Sequence, residues 1–215
     1  MIPRKIHTFW LSGDPMPFEA INNLESWRHH NPGYELLIHG RDEFRDLEDR
    51  CEFYSVMLRD HRWCFAADYL RAKVLLSDGG WYTDSDARCH KPLDEIYTVY
   101  GEWPRFLCKE APNGRWYECG VMAFEPGDEI MAAMVQWYEA WREGDALPVM
   151  PMVMEAVVKE NHLNVAPLLP DEVLSGKRLP NGVYKDKKTG QMRVKIFVEP
   201  TEKSFATHYF THTGY

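Results

Sequence analysis

The sequence predicts an α/β fold: a single domain around a mixed central sheet. Three observations predict it. Strand-like and helix-like segments alternate through the first half, the order that builds a parallel sheet. Further strand-like runs follow in the second half without that alternation, so the sheet is mixed. The chain is 215 residues long and shows no repeat and no linker-like stretch, which suits one domain.

Taken in order, Lys5 to Leu11 reads as a strand, ended by Ser12-Gly13-Asp14-Pro15. Phe18 to Trp27 has helical spacing, with Phe18, Ile21, Leu24 and Trp27 on related faces. Asn31-Pro32-Gly33 turns the chain into a short strand over Tyr34 to Ile38, and polar helical sequence continues to about Arg59. Phe65 to Ser77 is a compact helix stopped by Asp78-Gly79-Gly80. Trp81-Tyr82-Thr83 is a short strand that runs into Asp84-Ser85-Asp86. Beyond it, Arg105 to Cys108 and Gly120 to Phe124 read as strands. Glu129 to Trp141 is a helix with Asp128 as its cap, and Val153 to Glu160 is a weaker one. Val183 to Val198 reads as a hairpin around Lys188-Thr189-Gly190.

Net charge is -8, which argues against a protein that coats nucleic-acid phosphates or adheres to anionic lipid through a broad basic face. No uncharged apolar run is long enough to span a bilayer. The five cysteines are odd in number and form no Cys-x-x-Cys pair, so neither a disulfide framework nor a zinc ribbon is expected. With no signal or transit peptide visible, a reducing cytoplasm is the expected compartment. An acidic chain that handles a diphosphate must neutralise it locally, with a metal or a few placed cations.

Asp84 and Asp86 are the first such candidates. Residues two apart in an extended segment point the same way, so both carboxylates can face one hard cation such as Mg²⁺ or Mn²⁺. The pair also follows a strand, where α/β sites lie. Alone it is weak, because chance supplies about one Asp-x-Asp in a chain of this composition. The helix upstream strengthens it. Asp68 and Arg71 share one face of a segment otherwise built from Phe65, Ala66, Ala67, Leu70, Ala72, Val74, Leu75 and Leu76. A buried Asp and Arg must be paired or bound to something. Two readings stay open: an ion pair that pins the helix, or groups that hold a phosphate and a sugar.

The run from Phe65 to Arg71, followed by Leu75-Leu76-Ser77-Asp78-Gly79-Gly80-Trp81-Tyr82-Thr83-Asp84-Ser85-Asp86 and Lys91-Pro92-Leu93-Asp94, resembles the sugar-binding-region glycosyltransferases with a DXD motif. That group includes initiating α-mannosyltransferases, capsular polysaccharide transferases and, more distantly, the clostridial glucosylating toxins. Ile2-Pro3-Arg4-Lys5-Ile6-His7-Thr8-Phe9-Trp10 is similar to its opening strand, and Ser26-Trp27 and Asn31-Pro32-Gly33-Tyr34 fall in the same order. Leu76 stands where a Tyr is usual. Glu118-Cys119-Gly120 lies where an Asn commonly precedes the next core strand. Ala206-Thr207-His208-Tyr209-Phe210-Thr211-His212 resembles the terminal Ala-x-His-His segment.

The resemblance implies a GT-A type nucleotide-diphospho-sugar transferase fold. Residues 1–94 would be the nucleotide-sugar-binding half, and residues 95–215 the acceptor-side half with the C-terminal segment. It implies retaining, Mn²⁺- or Mg²⁺-dependent transfer from a UDP- or GDP-sugar to an acceptor hydroxyl. Asp84, Asp86 and Arg71 would be catalytic. Asp84, Asp86, His208 and His212 would serve the metal. Asp68 and Arg71 would hold the donor, Trp10 beside Phe9 would stack on the base, and Ser85 and Gly80 would complete the donor contacts. The acceptor would be a glycan, a lipid-linked saccharide or a protein, as in polysaccharide biosynthesis. Peripheral association with the inner face of the membrane stays open. So do a core position for Trp10 and an exposed tail for the two histidines. Two rival functions remain: a phosphohydrolase or nucleotidyltransferase on the same carboxylates, and a nucleotide-sugar-binding module without turnover.

Overall fold

A computed structural model of the chain describes residues 1–110, 114–185 and 192–210, with backbone alone at 180–185 and 192–195. The chain enters on β1 (Lys5–Phe9), forms α1 (Phe18–His30) and returns as β2 (Glu35–His39). A 3-10 segment (Arg41–Leu47), α2 (Glu52–Arg59) and α3 (Trp63–Ser77) lead to β3 (Gly80–Thr83). Then come β4 (Ala87–Cys89), α4 (Asp94–Tyr100), β5 (Arg105–Phe106) and β6 (Val121–Phe124). The last part holds α5 (Glu129–Ala140), α6 (Met150–Glu160), β7 (Lys177–Lys185), β8 (Met192–Glu199) and β9 (Ala206–His208).

The central sheet has the order β2-β1-β3-β6-β5. β1 runs parallel to β2 and β3, whereas β6 is antiparallel to β3 and β5. The parallel first half and the mixed sheet are therefore as the sequence predicts. β4 and β9 form a separate pair that sets Ala87 opposite His208. β7 and β8 make a hairpin of their own.

Alternation along β3 divides the core in two. Tyr82 faces a cluster with Tyr54, Tyr69, Leu70 and Tyr138 from α2, α3 and α5. Trp81 faces the other side with Ile6, Trp27, Leu93 and Phe106. Each such side chain contributes about 1.5–3 kcal/mol by leaving water. α3 lies in the first cluster with Asp68, Leu70, Arg71 and Leu75 all buried, as its composition requires. It ends at Gly79, whose φ is +63° and where a side chain would meet Pro126 Cδ at 2.6 Å. Asp128 caps α5 by accepting from Ile130 N at 2.8 Å, a bond worth about 1 kcal/mol.

Several expectations are corrected. β1 stops at Phe9, so Trp10 and Leu11 lie beyond the strand. On α1 the buried face is Ala20, Asn23, Leu24 and Trp27, and Phe18 and Ile21 turn outward, because the helix packs where Trp27 Nε1 donates to Ala87 O at 2.8 Å. The polar stretch is a 3-10 segment kinked at Phe44 followed by α2. β4, α4 and β9 are elements the sequence does not announce. α6 begins earlier than predicted, at Met150, and Met152 is exposed while Met150 and Met154 are buried. The hairpin starts at Lys177, and its predicted turn Lys188-Thr189-Gly190 lies outside the described residues.

Candidate functional site

Asp84 and Asp86 leave the carboxyl end of β3 on a tight turn, in which Ala87 N donates to Asp84 O at 3.0 Å. The strand next to it supplies the anchor: Asp84 N donates to Gly120 O at 2.7 Å, just before β6. From the opposite side β9 brings His208. Its Nε2 lies 3.2 Å from Asp86 Oδ1 and 3.4 Å from Asp84 Oδ2. The three ligand atoms fall within 4.8 Å of one another. This is a cluster that joins residues 84 and 208 through the β4–β9 pairing.

Arg71 meets the same carboxylates from α3. Its Nη2 is 3.0 Å from Asp68 Oδ1 and 3.2 Å from Asp84 Oδ1, and its Nη1 donates to Cys119 O at 2.6 Å. The guanidinium lies 4.2 Å from the centre of the Tyr82 ring, and the Tyr82 hydroxyl donates to Asp84. The ion-pair reading of the helix is met: Asp68 and Arg71 are paired, and Arg71 also reaches Asp84. Arg71 Nε is buried with no hydrogen-bond partner among the described residues, a donor left over.

Burial pushes the Asp68 carboxyl up to about 7, although Arg71 pulls it down. Burial likewise raises Asp84, again against Arg71. Burial works against the charges of Arg71 and His208, yet both are raised: Arg71 by Asp84, Tyr82 and Asp68, and His208 by Glu118 and Asp86. The site thus gathers charges whose ionisation states depend on one another.

Above this floor opens a cavity of about 730 Å³. Its walls include Phe9, Trp10, Ser12, Trp63, Ser85 and Leu147. Trp10 is half-buried and is held by Nε1 donating to Asp14 O at 2.7 Å. It therefore borders the cavity and is not a core residue. Ser85 O accepts from Asn23 Nδ2 at 3.2 Å, which ties the turn to α1.

Of the residues singled out in the sequence, Phe9, Trp10, Arg71, Asp84, Ser85, Asp86 and His208 line the cavity. Asp68 stands behind Arg71. Gly80 is elsewhere: it opens β3 at the far end of that strand, where its φ is +105° and a side chain would meet Lys5 O at 2.9 Å. His208 is buried and is not an exposed tail residue. His212 lies outside the described residues. Glu118 was missed. It is 1% exposed, and its Oε1 is 2.9 Å from His208 Nδ1. The signal for it was the acidic residue standing next to the place where an Asn is usual.

Residues 17–101 match the family described as glycosyltransferase sugar-binding region containing DXD motif. Subversion of eukaryotic traffic protein A of Legionella pneumophila is 29% identical over 126 aligned residues, covering 46% of this chain and 19% of that protein. The chain thus spans about a fifth of that relative's length. Among solved structures, PaToxG glycosyltransferase superposes with a TM-score of 0.57 at 17% identity, over 74% of this chain and 70% of that one. A glycosyltransferase involved in the glycosylation of the major capsid of PBCV-1 gives 0.48 at 13% identity, over 80% and 84% of the two chains. The fold is GT-A-like. No described helix is long and apolar enough to cross a membrane.

Proposed function

We propose that this chain, whose residues 17–101 match the DXD-containing glycosyltransferase sugar-binding-region family, moves a sugar from a nucleotide diphosphate donor to an acceptor hydroxyl. The observation that carries the reading is the convergence of Asp84, Asp86 and His208 on the floor of a cavity of donor size, with Arg71 beside them.

The donor set fits a divalent cation. Two carboxylates and an imidazole within 4.8 Å suit Mn²⁺, and the carboxylates alone suit Mg²⁺. Asp84, Asp86 and His208 would hold it. A cation there supplies neutralisation of the diphosphate and stabilises the charge that grows as the glycosyl bond breaks.

The remaining work belongs to the side chains. Arg71, which lines the cavity, presents a fixed positive charge to the donor's phosphate or sugar. Asp68 holds Arg71 and, on its other side, accepts from the Met150 backbone. Trp10 offers an indole face to a nucleobase, its orientation set by the bond to Asp14 O. The apolar wall made by Phe9, Leu147 and Trp63 keeps water from the bound donor. The donor is a UDP- or GDP-sugar, the configuration is retained, and the acceptor is a glycan, lipid-linked saccharide or protein. A cytoplasmic setting is consistent with five unpaired cysteines, four of them buried.

The test is incubation with a panel of nucleotide sugars and Mn²⁺, followed by product identification and anomeric assignment by NMR. Nucleoside diphosphate release with sugar transfer, lost in Asp86→Asn, is the expected result. Inorganic phosphate or nucleotidyl transfer without sugar movement favours the hydrolase or nucleotidyltransferase. Unchanged turnover in Asp86→Asn sinks the assignment.

A further inference from the structure

Three consecutive residues before β6 hold three different members of the site. Glu118 reaches His208, Cys119 O receives Arg71 Nη1, and Gly120 O receives Asp84 N. Two of these contacts are made by backbone and do not depend on side-chain identity. Glu118 is different, because it places a carboxylate in a position with almost no solvent.

Burying a carboxylate costs several kcal/mol unless it is paired and hydrogen-bonded. Glu118 Oε1 takes two N–H groups, His208 Nδ1 at 2.9 Å and Gly120 N at 2.6 Å. The second bond ties the carboxylate to the backbone two residues on, a contact that does not involve the histidine. An imidazole carries two nitrogens with separable roles. Nδ1–H is committed to Glu118, which leaves Nε2 to face Asp84 and Asp86 at 3.4 and 3.2 Å. Gly120 completes the arrangement, since a Cβ there would stand 2.4 Å from His208 Nδ1. The imidazole is therefore seated against bare backbone on one face and clamped by Glu118 at its rear nitrogen.

We propose that Glu118 is a positioning residue for a metal ligand: it fixes the His208 ring and tautomer so that the Nε2 lone pair joins Asp84 and Asp86 around a divalent cation. This rests on the metal-site reading given above. Carboxylates placed behind ligating histidines commonly act in this way, and losing one costs about 10–100-fold in metal affinity. Glu118 touches no reacting atom.

The test is Mn²⁺ titration of the purified chain, followed by the EPR signal of free Mn²⁺, for wild type, Glu118→Ala and Glu118→Gln. Glu118→Ala is expected to bind about 10–100-fold more weakly. Glu118→Gln keeps an acceptor oxygen for Nδ1–H, so it is expected to lose less and to remain folded if the alanine variant does not. In parallel, ¹⁵N spectra of histidine-labelled protein with Zn²⁺, a diamagnetic ion that takes imidazole as well as carboxylate, should show His208 protonated at Nδ1 and without a proton at Nε2. Wild-type Mn²⁺ affinity in both variants, even with a lowered Tm, overturns the proposal and leaves Glu118 a structural carboxylate. A bare Nδ1 in the Zn²⁺ form overturns it equally. A wild-type chain that takes up no Mn²⁺ overturns the metal site itself.

Discussion

A Cβ built on Gly120 would stand 2.4 Å from His208 Nδ1, closer than any real side-chain carbon approaches a ring. The same Cβ would lie 2.8 Å from Asp84 Oδ2. The glycine is thus set by two cavity residues at once and not by its own turn. Gly120→Ala must displace the imidazole or the carboxylate. The expected outcome is loss of Mn²⁺ binding by at least about tenfold, with a fold penalty of about 1–3 kcal/mol for overpacking. Mn²⁺ titration beside urea denaturation checks it. Metal affinity like wild type would show that the cluster relaxes without cost.

Arg71 is the charge shared by the buried Asp68 and the half-buried Asp84. Asp68 and Asp84 both lie within 3.2 Å of its Nη2. Arg71→Met keeps the volume of the stem but leaves Asp68 without its counter-charge and Asp84 with His208 alone. The expected destabilisation is about 3–5 kcal/mol, the usual cost of breaking a buried pair from one side. A double variant with Asp68→Asn should recover part of it, because one of the stranded charges is gone. Chemical denaturation of the single and double variants measures the coupling. Additive losses would mean that the two side chains act independently.

Trp10 is expected to matter for the donor and little for the fold. It is half-buried at the end of β1, held by one hydrogen bond to Asp14 O. Base stacking on an aromatic side chain is worth about 1–3 kcal/mol by alanine substitution. Trp10→Ala should therefore weaken UDP or GDP binding roughly tenfold to a hundredfold, with Tm shifted by only a few degrees. Calorimetric titration with each nucleotide checks it and also identifies the preferred base. Undiminished nucleotide affinity would move the base to another wall, with Trp63 the next aromatic to vary.

The first half of the fold was legible because its signals are local. Periodicity marked α3, and Gly79-Gly80 marked its end; the turn at Asn31-Pro32-Gly33 set off β2. Asp84 and Asp86 were legible for the same reason, as a short motif behind a strand. What escaped depends on partners far along the chain. β4 is three residues long and exists because β9 pairs with it from residues 206–208. Glu118 means nothing until His208, ninety residues later, is placed beside it. Gly80 was read as a donor contact because it sits in the motif, whereas its positive φ and the approach of Lys5 O account for it. Phe18 and Ile21 share the helical spacing of Leu24 and Trp27 yet turn outward, because spacing alone does not say which stripe of a helix meets the sheet.

Acid should weaken this fold through His7. Its Nε2 lies 3.0 Å from Gly79 O and must donate, so Nδ1, 2.9 Å from His39 Nε2, must accept. His39 Nδ1 in turn is 2.7 Å from Glu43 Oε2, which completes a chain of hydrogen bonds from β3's entry to the 3-10 segment. A second proton on His7 would set N–H against N–H. Burial first, and His39 second, lower its pKa to about 4. In the unfolded chain it returns to about 6.5. Between those values the unfolded state binds the extra proton and the folded state does not, so stability rises with pH. The contribution is complete above about pH 6.5 and is lost as pH falls through about 4, a swing of about 3 kcal/mol. Other buried acids titrate over part of this range, so the comparison is with His7→Gln, which retains a donor toward Gly79 O. Urea midpoints at pH 7.5, 5.5 and 4 should fall more steeply for the wild type than for the variant. Parallel pH profiles would place the acid sensitivity elsewhere.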